Sequence, residues 1–517
     1  MANTQLFQST RGAFAPVANE LNSESASAYR FSPKHLLAQY AVTGCLNNTF
    51  YASDADQLTR VLELSKELDA EFIAKTAVYA RESASMKDMP ALLLAVLSTK
   101  SPEYLRRVFD RVVDNGRMLR NFVQIVRSGA VGRKSLGSAP KALVRKWLSS
   151  AQERRLIEAA VGSNPSLADI VRMVHPKPND PVREAFYGWL LGKPYTLEAL
   201  PPKLQEYVVY KFDRSQELPD VPLPMLTALG LEREEWATIA RRGLWHMVRM
   251  NLNTFARHGV FEIEGMAHVV ADKLRDPVAI HKARVLPYQL LAAYRAAGPD
   301  IPVEVREALQ DAMEIALLNI GAFEGRVVVC PDVSGSMSAA ITGTRKGATS
   351  AVRCIDVAGL VAAAVVRANQ DALVLPFESC VREIALNLRD TVMTNAEKLA
   401  AIGGGGTNCS APLQWLNARK VQADLVIYVS DNESWVDARK TGSTQMMRQW
   451  SAFKAYNPAA KLVCIDIQPN ATTQAQECAD VLNVGGFSDE VFEVVNAFAA
   501  GTLAPAHWVS RIEQVTI

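Results

Sequence analysis

The sequence predicts two consecutive parts of different fold class, a long helical domain followed by an α/β domain with a mostly parallel sheet. Two observations predict this division. From residue 32 to about residue 320, amphipathic helical segments follow one another with short turns at Gly, Pro or Asn, and strand-like segments are nearly absent. After Glu324, continuously apolar strand segments alternate with helical segments, which is typical of a parallel sheet covered by helices on both faces.

The helical part has the spacing of amphipathic helices. In the segment 105–112 every apolar residue falls at position i, i+3, i+4 or i+7, and Ser32 followed by proline marks a helix start. Short turns favour antiparallel hairpins, and a series of hairpins stacks into an α-solenoid of the HEAT-repeat type. An irregular all-helical domain is the alternative, because the sequence shows no strict period. Further helical segments are predicted at 58–68, 72–79, 118–126, 142–148, 247–255 and 290–294.

The C-terminal part reads as a doubly wound α/β domain. Strands are predicted at 326–330, 372–377, 424–429 and 461–467, and helices at 355–367, 396–402, 411–419, 444–456 and 490–500. The first 30 residues lack the apolar core of a signal peptide, and their Ser, Asn and Gln content predicts a loosely ordered polar arm. The predicted domains are therefore the arm at 1–30, the helical domain at 31–322 and the α/β domain at 323–517.

Composition limits the class of protein without selecting a ligand. The net charge of +2 and the pI of about 8.1 neither demand nor exclude a nucleic acid partner. The seven cysteines are dispersed and contain no C-x-x-C pair, so neither a zinc site nor a disulfide framework is expected, and a reducing cytoplasm fits best. The longest apolar run, at 357–366, is about half the roughly 20 residues that a membrane-spanning helix needs. We expect no membrane association.

Three predicted loops carry hard oxygen ligands. The first strand of the α/β domain ends in P-D-V-S-G-S-M, so that Asp332, Ser334 and Ser336 alternate along one loop. Thr407 follows a run of four glycines, and Asp431 follows another strand. Ligands of a doubly wound sheet bind beyond the carboxyl ends of its strands. The first loop alone is also compatible with a phosphate loop or a simple turn, but the three together predict a divalent metal site, for Mg²⁺ first, with Mn²⁺ or Ca²⁺ also suited.

The same loops do not predict an enzyme. Paired catalytic groups at a consistent spacing are absent from the sequence, and the glycine run lacks the G-K-[ST] ending of a nucleotide-binding loop. A metal held by two aspartates, two serines and a threonine keeps one position for an acidic oxygen of a partner. We therefore expect a binding protein.

Basic residues are concentrated in one stretch of the helical part. Between Leu105 and Arg155 thirteen Lys or Arg stand against three acids. A charge-rich helix is often only a solvated face, but the density also fits a nucleic acid surface. Six candidates surround the turn 132–140: Arg127, Arg133, Lys134, Lys141, Arg145 and Lys146. Further candidates at helix ends are Arg172, His175, Lys177, Arg249 and Asn251, of which His175 is equally explained as a turn residue.

In this arrangement the chain resembles a bacterial or phage member of the Ro ribonucleoprotein family, which joins a TROVE domain to a von Willebrand factor A domain. The resemblance covers almost the whole chain. It is carried by HLLAQYAVTGCLNNTFY, SGAVGRKSLGSAPKALVRKWL, DIVRMVHPKP, HMVRMNLNTFARHGVF, ARVLPYQLLAAY and the metal loops. All five metal positions match the family's metal-ion-dependent adhesion site, although the third loop reads S-D-N where S-D-G or T-D-G is common.

The resemblance implies a monomeric ring of helix pairs whose ends the von Willebrand A domain bridges. Such proteins bind single-stranded 3′ ends of misfolded noncoding RNA in the central hole and small Y-type RNA on the basic outer surface, and an exoribonuclease is an expected partner. By position, the inner group would be His175, Lys177, Arg249 and Asn251, and the outer group Arg133, Lys134, Lys141, Arg145 and Lys146. The segment HMVRMNLNTF departs from the family's R-N-L-G-K pattern by an inserted residue and lacks the lysine, a departure that affects the inner contact at Asn253 and Thr254. A metal-dependent protein adaptor is the alternative function.

Overall fold

The computed structural model divides the chain into two compact units. It describes residues 15–44, 46–49, 51–283, 285, 287–317, 322–343, 352–437, 442–468, 470–486, 488–503 and 507–517. One unit, called here the sheet unit, comprises the residues up to Glu67, Trp245–Met250 and Ala267–Gln514. The other, called the helical unit, comprises Leu68–Leu244, Asn251–Met266 and Val515–Ile517.

Helices dominate the chain up to Leu317. Two strands precede them, β1 (Glu20–Leu21) and β2 (Ser27–Arg30). The helices are α1 (Pro33–Thr43), α2 (Asp54–Glu67), α3 (Ala70–Glu82), α4 (Asp88–Lys100), α5 (Pro102–Val112), α6 (Gly116–Ser128), α7 (Ser138–Ser150), α8 (Glu153–Ala160), α9 (Leu167–Val174), α10 (Pro181–Leu191), α11 (Pro202–Phe212), α12 (Leu223–Thr227), α13 (Arg233–Arg242), α14 (Trp245–Met250), α15 (Leu252–Arg257), α16 (Met266–Arg275), α17 (Pro277–Ala283), α18 (Pro287–Ala296) and α19 (Val303–Leu317).

Strands and helices alternate in the remaining chain. In order they are β3 (Val327–Pro331), α20 (Cys354–Ala368), β4 (Leu373–Val374), α21 (Val392–Ala400), α22 (Ala411–Arg419), β5 (Leu425–Ser430), α23 (Gln445–Lys454), β6 (Lys461–Asp466), β7 (Thr472–Thr473), β8 (Val481–Gly485), α24 (Asp489–Ala499) and α25 (His507–Glu513). The predicted succession of a helical region and an α/β region is confirmed.

The helical unit is a stack of helix hairpins. α3 packs against α4 and α5, α4 against α5 and α6, α5 against α7, α6 against α8, and α7 against α9, so each of these helices meets the next but one along the chain. All four apolar residues of the predicted stripe at 105–112 are 0% exposed, which shows that the stripe is the packing face of α5. The predicted helix at 247–255 is divided into α14 and α15 at Asn251. Closure of the helices into a ring stays a prediction.

Local sequence sets the ends of these helices. The Ser101 side chain accepts from the Tyr104 N–H, and Pro102 occupies the first turn, where its missing N–H is not needed. The Asn115 side chain accepts from the Met118 N–H at 3.0 Å at the start of α6. α6 ends at Ser128, and the next residue, Gly129, has a φ of 92°, in the left-handed region that favours glycine.

The sheet unit contains a five-stranded parallel sheet in the order β4-β3-β5-β6-β8. Val327 pairs with Leu425 and Leu425 with Lys461, and every residue of β3 and β5 is buried. The chain runs from β3 to the edge strand β4 and then returns to β5 on the other side of β3. The loops after β3 and β5 are therefore neighbours at a topological switch point, where ligands of such sheets bind.

Two strands of the five-stranded sheet differ from the prediction. β4 is limited to Leu373–Val374, whereas the sequence predicted a strand over 372–377. β8 was not predicted, because Asn483 interrupts its apolar run. That side chain is 0% exposed and donates to the Ala475 carbonyl at 3.0 Å. A polar residue in an apolar run argues against a buried strand, but here hydrogen bonds to nearby groups satisfy the buried amide.

The prediction of a loosely ordered arm was wrong for residues 15–30. β2 pairs antiparallel with both β1 and β7, and Tyr29 lies in the hydrophobic core of the sheet unit with Val328 and Tyr428. The Tyr29 hydroxyl donates to the Pro16 carbonyl at 2.6 Å. Although the stretch is mostly polar, it contains a few small and aromatic residues that are buried, and overall composition does not reveal them. Residues 1–14 lie outside the described residues.

The longest apolar run of the sequence lies within α20, which packs on β3 and β5. Its apolar character therefore serves the core of the sheet unit. Within the part of the chain that the structure describes, no helix combines the length and apolarity needed to cross a membrane.

Candidate metal centre and basic surface

Asp332 begins the loop after β3 and is 0% exposed. Its N–H donates to the Val429 carbonyl of β5 at 2.9 Å, which continues the strand pairing by one residue. One carboxylate oxygen accepts from the Ser334 N–H at 2.8 Å, and the other accepts from the Ser430 hydroxyl at 2.5 Å. The carboxylate is therefore fixed between the first and third predicted metal loops.

Hydrogen bonds link four of the five predicted metal ligands in series. The hydroxyl oxygens of Ser334 and Ser336 lie 3.2 Å apart. The Ser336 hydroxyl in turn hydrogen-bonds the carboxyl group of Asp431, which follows β5 and is 1% exposed. Together with the bond from the Ser334 N–H to Asp332, these contacts bring the alternating loop and the second aspartate to one point.

The glycine loop packs directly on the first metal loop. The Gly404 N–H donates to the Val333 carbonyl and the Gly335 N–H donates to the Gly405 carbonyl, both at 3.0 Å. Thr407, the fifth predicted ligand, is 4% exposed, and its carbonyl accepts from the loop after β5 at 3.2 Å. The structure thus places all five predicted ligands on three interlocked loops.

Close approach of backbone explains a glycine in this loop. Gly405 has a φ of +76°, and a Cβ atom built there would overlap a carboxylate oxygen of the buried Glu378. The adjacent Gly404 also has a positive φ, of +129°, but a Cβ atom there would meet open space. At Gly405, glycine is needed both for the positive φ and because a side chain would not fit. At Gly404 it is needed only for the positive φ.

The electrostatics of the centre fit a cation. Burial raises the pKa of Asp332 to about 6. Burial, followed by the charge of Asp332, raises the pKa of Asp431 well above its usual range. No lysine, arginine or histidine of the described residues is among the main influences on the pKa of either aspartate. Two buried carboxylates without a counter-charge are costly, and a divalent ion with hard oxygen ligands would neutralise them.

The ligand set depends on hydroxyl groups as well as carboxylates. In the part of the chain that is described, no cluster of three or more His, Cys, Asp or Glu side chains could hold a metal ion. The predicted centre has two carboxylates and three hydroxyls, a set that suits a hard cation such as Mg²⁺ better than zinc.

Sequence reasoning missed two side chains beside the centre. Glu433 is 2% exposed, accepts from the Ser23 N–H at 2.9 Å, and has a pKa raised to about 7 by burial. The Tyr51 hydroxyl hydrogen-bonds Ser336, and burial raises its pKa. Glu433 follows Asp431 by two residues and could have been noticed. Tyr51 is remote in sequence and carries no such signal.

The helical unit presents the predicted outer basic residues around one turn. Arg127 lies in the last turn of α6, Lys134 lies in the turn between the helices, and Arg145 and Lys146 lie on α7. All four are exposed, whereas Arg133 and Lys141 are half-buried. Lys146 pairs with Asp110 at 2.6 Å, and both side chains are more than half exposed. Among the described residues the other five form no ion pair. The structure therefore brings this group together as a surface with excess positive charge, called here the α6–α7 surface.

Two of these arginines also hold neighbouring helices together. The Arg133 guanidinium donates to the Ser98 carbonyl in the last turn of α4 at 3.0 Å, and the Arg145 guanidinium donates to the Val174 carbonyl at the end of α9. A helix C-terminus carries partial negative charge, so these bonds are favourable. They orient the side chains without neutralising them, because a carbonyl has no net charge.

Four of the five helix-end candidates lie in the helical unit. Arg172 pairs with Asp169 at 3.3 Å near the end of α9. His175 is exposed and takes the left-handed position after α9 with a φ of 48°, which is the turn position that the sequence also allowed. Lys177 is exposed, and Asn251 is half-buried before α15. An RNA contact at each of these stays a prediction.

Arg249 lies in the sheet unit, on α14, and its guanidinium is held by protein groups. It donates to the Gln289 carbonyl at 2.7 Å and lies 5.8 Å from the centroid of the Trp245 ring. Burial lowers its pKa. These contacts favour a structural role for Arg249 over the predicted contact with RNA.

A second group of cations in the helical unit was not predicted as a site. Burial, followed by the charges of Arg117 and Arg81, lowers the pKa of Lys87 at the start of α4. Burial and Arg117 also lower the pKa of Arg120, whose guanidinium donates to the Ala159 carbonyl at 3.0 Å. The repulsion between Lys87 and Arg117 shows that these two side chains lie near one another, which their separation along the chain does not reveal in the sequence.

Comparisons with known proteins agree with this fold. Residues 326–499 match the family model of the Ro60 vWA domain. The chain is 26% identical to the RNA-binding protein RO60 of Deinococcus radiodurans, over 93% of this chain and 95% of the relative. The crystal structure of the Ro (RSR) protein of Deinococcus radiodurans superposes with a TM-score of 0.60 and 21% identity, covering 91% of this chain and 100% of that one. The resemblance to Ro proteins that the sequence motifs indicate is confirmed.

Proposed function

Residues 326–499 form a von Willebrand factor A domain of the Ro60 type in a chain that resembles Ro proteins almost throughout, and on this premise we propose that the protein is a non-enzymatic RNA-binding scaffold. The relative from Deinococcus radiodurans is named as RNA-binding. The observation in this chain that supports the proposal is the α6–α7 surface, where five of six predicted cations form no ion pair among the described residues.

Phosphate groups are the ligands that this surface suits. Lysine and arginine neutralise phosphates and release the counterions that surround a nucleic acid, so affinity falls steeply with salt. Backbone contacts fix position and carry no base information. The surface would therefore bind structured RNA with loose sequence preference. The finer proposal, by resemblance, is a small Y-type RNA on this surface.

A second RNA ligand follows from the proposed ring. Single-stranded 3′ ends of misfolded RNA would enter a central hole and be selected by their unpaired length, as is usual when protein recognises unpaired RNA. An exoribonuclease would then receive the bound RNA for quality control or processing. Within this scheme His175 and Lys177 are the exposed candidates for the inner contacts, and a cytoplasmic location is expected.

The metal centre would support the scaffold without chemistry on RNA. Asp332, Ser334, Ser336, Thr407 and Asp431 would hold the ion, for which we propose Mg²⁺, with Mn²⁺ or Ca²⁺ also suited. When bound, the ion supplies charge neutralisation and one site for an acidic oxygen. Asp332 and Ser430 would orient the first loop, because their hydrogen bond joins the ends of β3 and β5.

A metal-dependent protein adaptor is the second candidate function. Trp435 favours it, because this large side chain is 45% exposed although its backbone N–H donates to the Thr407 carbonyl in the metal centre. Exposed tryptophans beside a ligand site are typical of protein interfaces.

Nucleic acid content separates the two functions directly. The full chain would be purified from its host at low salt, its absorbance ratio at 260 and 280 nm measured, and crosslinked RNA sequenced. The scaffold predicts co-purifying small RNA that is lost from a variant with Arg127, Lys134 and Lys141 changed to Glu. The matched control changes the exposed Lys193, Lys203 and Lys211 of the same unit to Glu and should retain the RNA. Protein that is free of RNA but retains a metal-dependent protein partner would favour the adaptor.

A further inference from the structure

A cavity of about 530 Å³ opens beside the metal loops of the sheet unit. Ser334 and Gly335 of the first metal loop and Gly403 and Gly404 of the glycine loop form one side of it. Its charged side chains are Arg295 from α18, Arg353 before α20, and Glu397 from α21. Ser334 belongs both to the predicted metal ligands and to the lining of the cavity, but the three charged groups are not metal ligands, so the cavity adjoins the metal centre and extends beyond it.

The two arginines share one buried carboxylate. Arg295 donates to both oxygens of Asp356, at 2.7 and 3.0 Å. Arg353 does the same from the other direction, at 3.2 and 2.8 Å, and the Asp356 side chain is 0% exposed. Although burial opposes it, these hydrogen bonds lower the pKa of Asp356, so the carboxylate is ionised near neutral pH. Asp356 therefore fixes both guanidinium groups at the wall of the cavity.

The arrangement leaves positive charge and donors for a ligand. Two guanidinium groups and one carboxylate carry a net charge of one, and each guanidinium has five N–H donors of which Asp356 engages only some. Glu397 offsets this charge weakly, since its carboxylate lies 4.0 Å from Arg295 and its side chain is 46% exposed. The first turn of α20, a helix of 15 residues, also borders the cavity through Ile355, and a helix N-terminus favours anions.

A carboxylate of a protein partner fits this cavity better than an RNA backbone. A guanidinium group can donate two parallel hydrogen bonds to one carboxylate. The cavity volume suits one or two side chains. An RNA backbone would place further phosphate groups near the carboxylate of Glu397, which would repel them. A single acidic side chain can enter the cavity without approaching Glu397. The exposed indole of Trp435, next to the same glycine loop at Gly406, provides the apolar contact that protein interfaces prefer.

We propose that the cavity lined by Arg295 and Arg353 binds an acidic side chain of a protein partner, as an anchor distinct from the metal centre. A partner carrying two nearby acidic residues could place one at each position. This inference goes beyond both proposed functions, because it assigns protein docking to two arginines that neither of them uses.

The test uses the full-length protein and a fluorescein-labelled peptide of alternating Asp and Gly, with an Asn and Gly peptide as control. Fluorescence anisotropy would be measured in EDTA, so that the metal centre cannot contribute, and again with Mg²⁺. Two substitutions at exposed positions of the cavity change its charge in opposite directions. Glu397→Gln should strengthen peptide binding, and Ala401→Glu should weaken it, each by about three- to tenfold.

Both variants keep the Arg295–Asp356–Arg353 contacts, so neither requires the buried ion group to be rebuilt. Arg295→Lys preserves the charge, loses the paired hydrogen bonds, and should weaken the peptide further. Equal affinity of wild type, Glu397→Gln and Ala401→Glu in EDTA would overturn the proposal. So would displacement of the peptide by a ten-residue oligouridylate at a lower concentration than by unlabelled peptide.

Failure of acidic-peptide binding would be distinguishable from failure of the RNA proposal. The variant with Arg127, Lys134 and Lys141 changed to Glu alters only the helical unit and should bind the acidic peptide as wild type does. A loss of peptide binding in that variant would mean that the peptide is bound by the α6–α7 surface, and would contradict the inference.

Discussion

Asp332 and Asp431 directly follow neighbouring strands of the parallel sheet and are each at most 1% exposed. The charge of Asp332 raises the pKa of Asp431, and no side-chain cation is among the main influences on the pKa of either group. Their proximity follows from the pairing of β3 with β5, in which Pro331 lies beside Val429. Burial of two like charges is stable only if an external positive charge or a proton neutralises them. This relationship makes the metal centre testable by stability measurements.

Magnesium should stabilise the wild-type protein and not the Asp431→Asn variant. An ion that binds only the folded state adds about 2.7 kcal/mol at a concentration about one hundred times its Kd. The melting temperature measured with Mg²⁺ and with EDTA should therefore differ by several degrees in wild type. In EDTA, Asp431→Asn should melt no lower than wild type, because it removes the repulsion with Asp332. The exposed Glu383→Gln serves as the control, and an unchanged magnesium effect in Asp431→Asn would contradict the assignment.

Gly405→Ala and Gly404→Ala form a matched pair in the glycine loop. Both positions have a positive φ, so each alanine costs about 1 kcal/mol or more of unfolding free energy. Gly405→Ala should cost about 1–3 kcal/mol more, since its Cβ would overlap Glu378. Urea denaturation measures the difference. Equal costs at the two positions would show that the loop yields easily and does not depend on close packing.

Tyr29→Ala should destabilise the sheet unit although Tyr29 lies in the N-terminal polar segment. Its ring is 2% exposed within the core, and removal of a buried aromatic side chain costs about 3–5 kcal/mol. Tyr29→Phe keeps the buried ring but removes the 2.6 Å hydrogen bond to the Pro16 carbonyl and the 3.4 Å bond from the Thr444 N–H, and should cost about 1 kcal/mol. Thermal unfolding followed by near-ultraviolet circular dichroism would measure both. Wild-type stability of Tyr29→Ala would mean that β2 does not belong to the core.

Arg133 and Lys134 should differ in stability although they are neighbours in the basic turn. Arg133→Gln removes a charged hydrogen bond to the Ser98 carbonyl and should lower the unfolding free energy by about 1–2 kcal/mol. Lys134→Gln changes an exposed side chain and should stay within about 0.5 kcal/mol of wild type. Chemical denaturation would compare them. If both were neutral, Arg133 would not position α4 against the turn, and its charge alone would matter.

The sequence predicted most of the fold because buried elements impose strong periodicity. The predicted helix at 411–419 coincides with α22, and β3, β5 and β6 fall within one or two residues of their predicted bounds. Elements that depend on partners remote in the chain were missed. β2 requires β7, which lies in the last tenth of the chain, and β8 contains Asn483, whose burial is tolerated only because Thr473 and Ala475 satisfy it.

In the candidate site too, features set by local sequence were predicted, and features that depend on remote segments were missed. The proximity of the five predicted metal ligands could be expected from the sequence, because each closely follows a strand or a glycine run and the sheet order brings those loops together. Tyr51, Arg295 and Arg353 could not be predicted as neighbours of the centre, because they come from segments that only the tertiary fold places there. The exposure of Lys134 and the partial burial of Arg249 likewise depend on packing that composition does not specify.

The salt dependence of RNA binding tests the central claim most directly. Affinity for a structured small RNA would be measured by filter binding between low and physiological salt, for wild type, for the variant with Arg127, Lys134 and Lys141 changed to Glu, and for the Lys193, Lys203 and Lys211 control. The account predicts that the first variant binds at least about tenfold more weakly and that its salt slope becomes shallower by about one for each phosphate that it no longer neutralises. Equal affinities and equal slopes for the two triple variants would contradict the assignment of RNA binding to the α6–α7 surface.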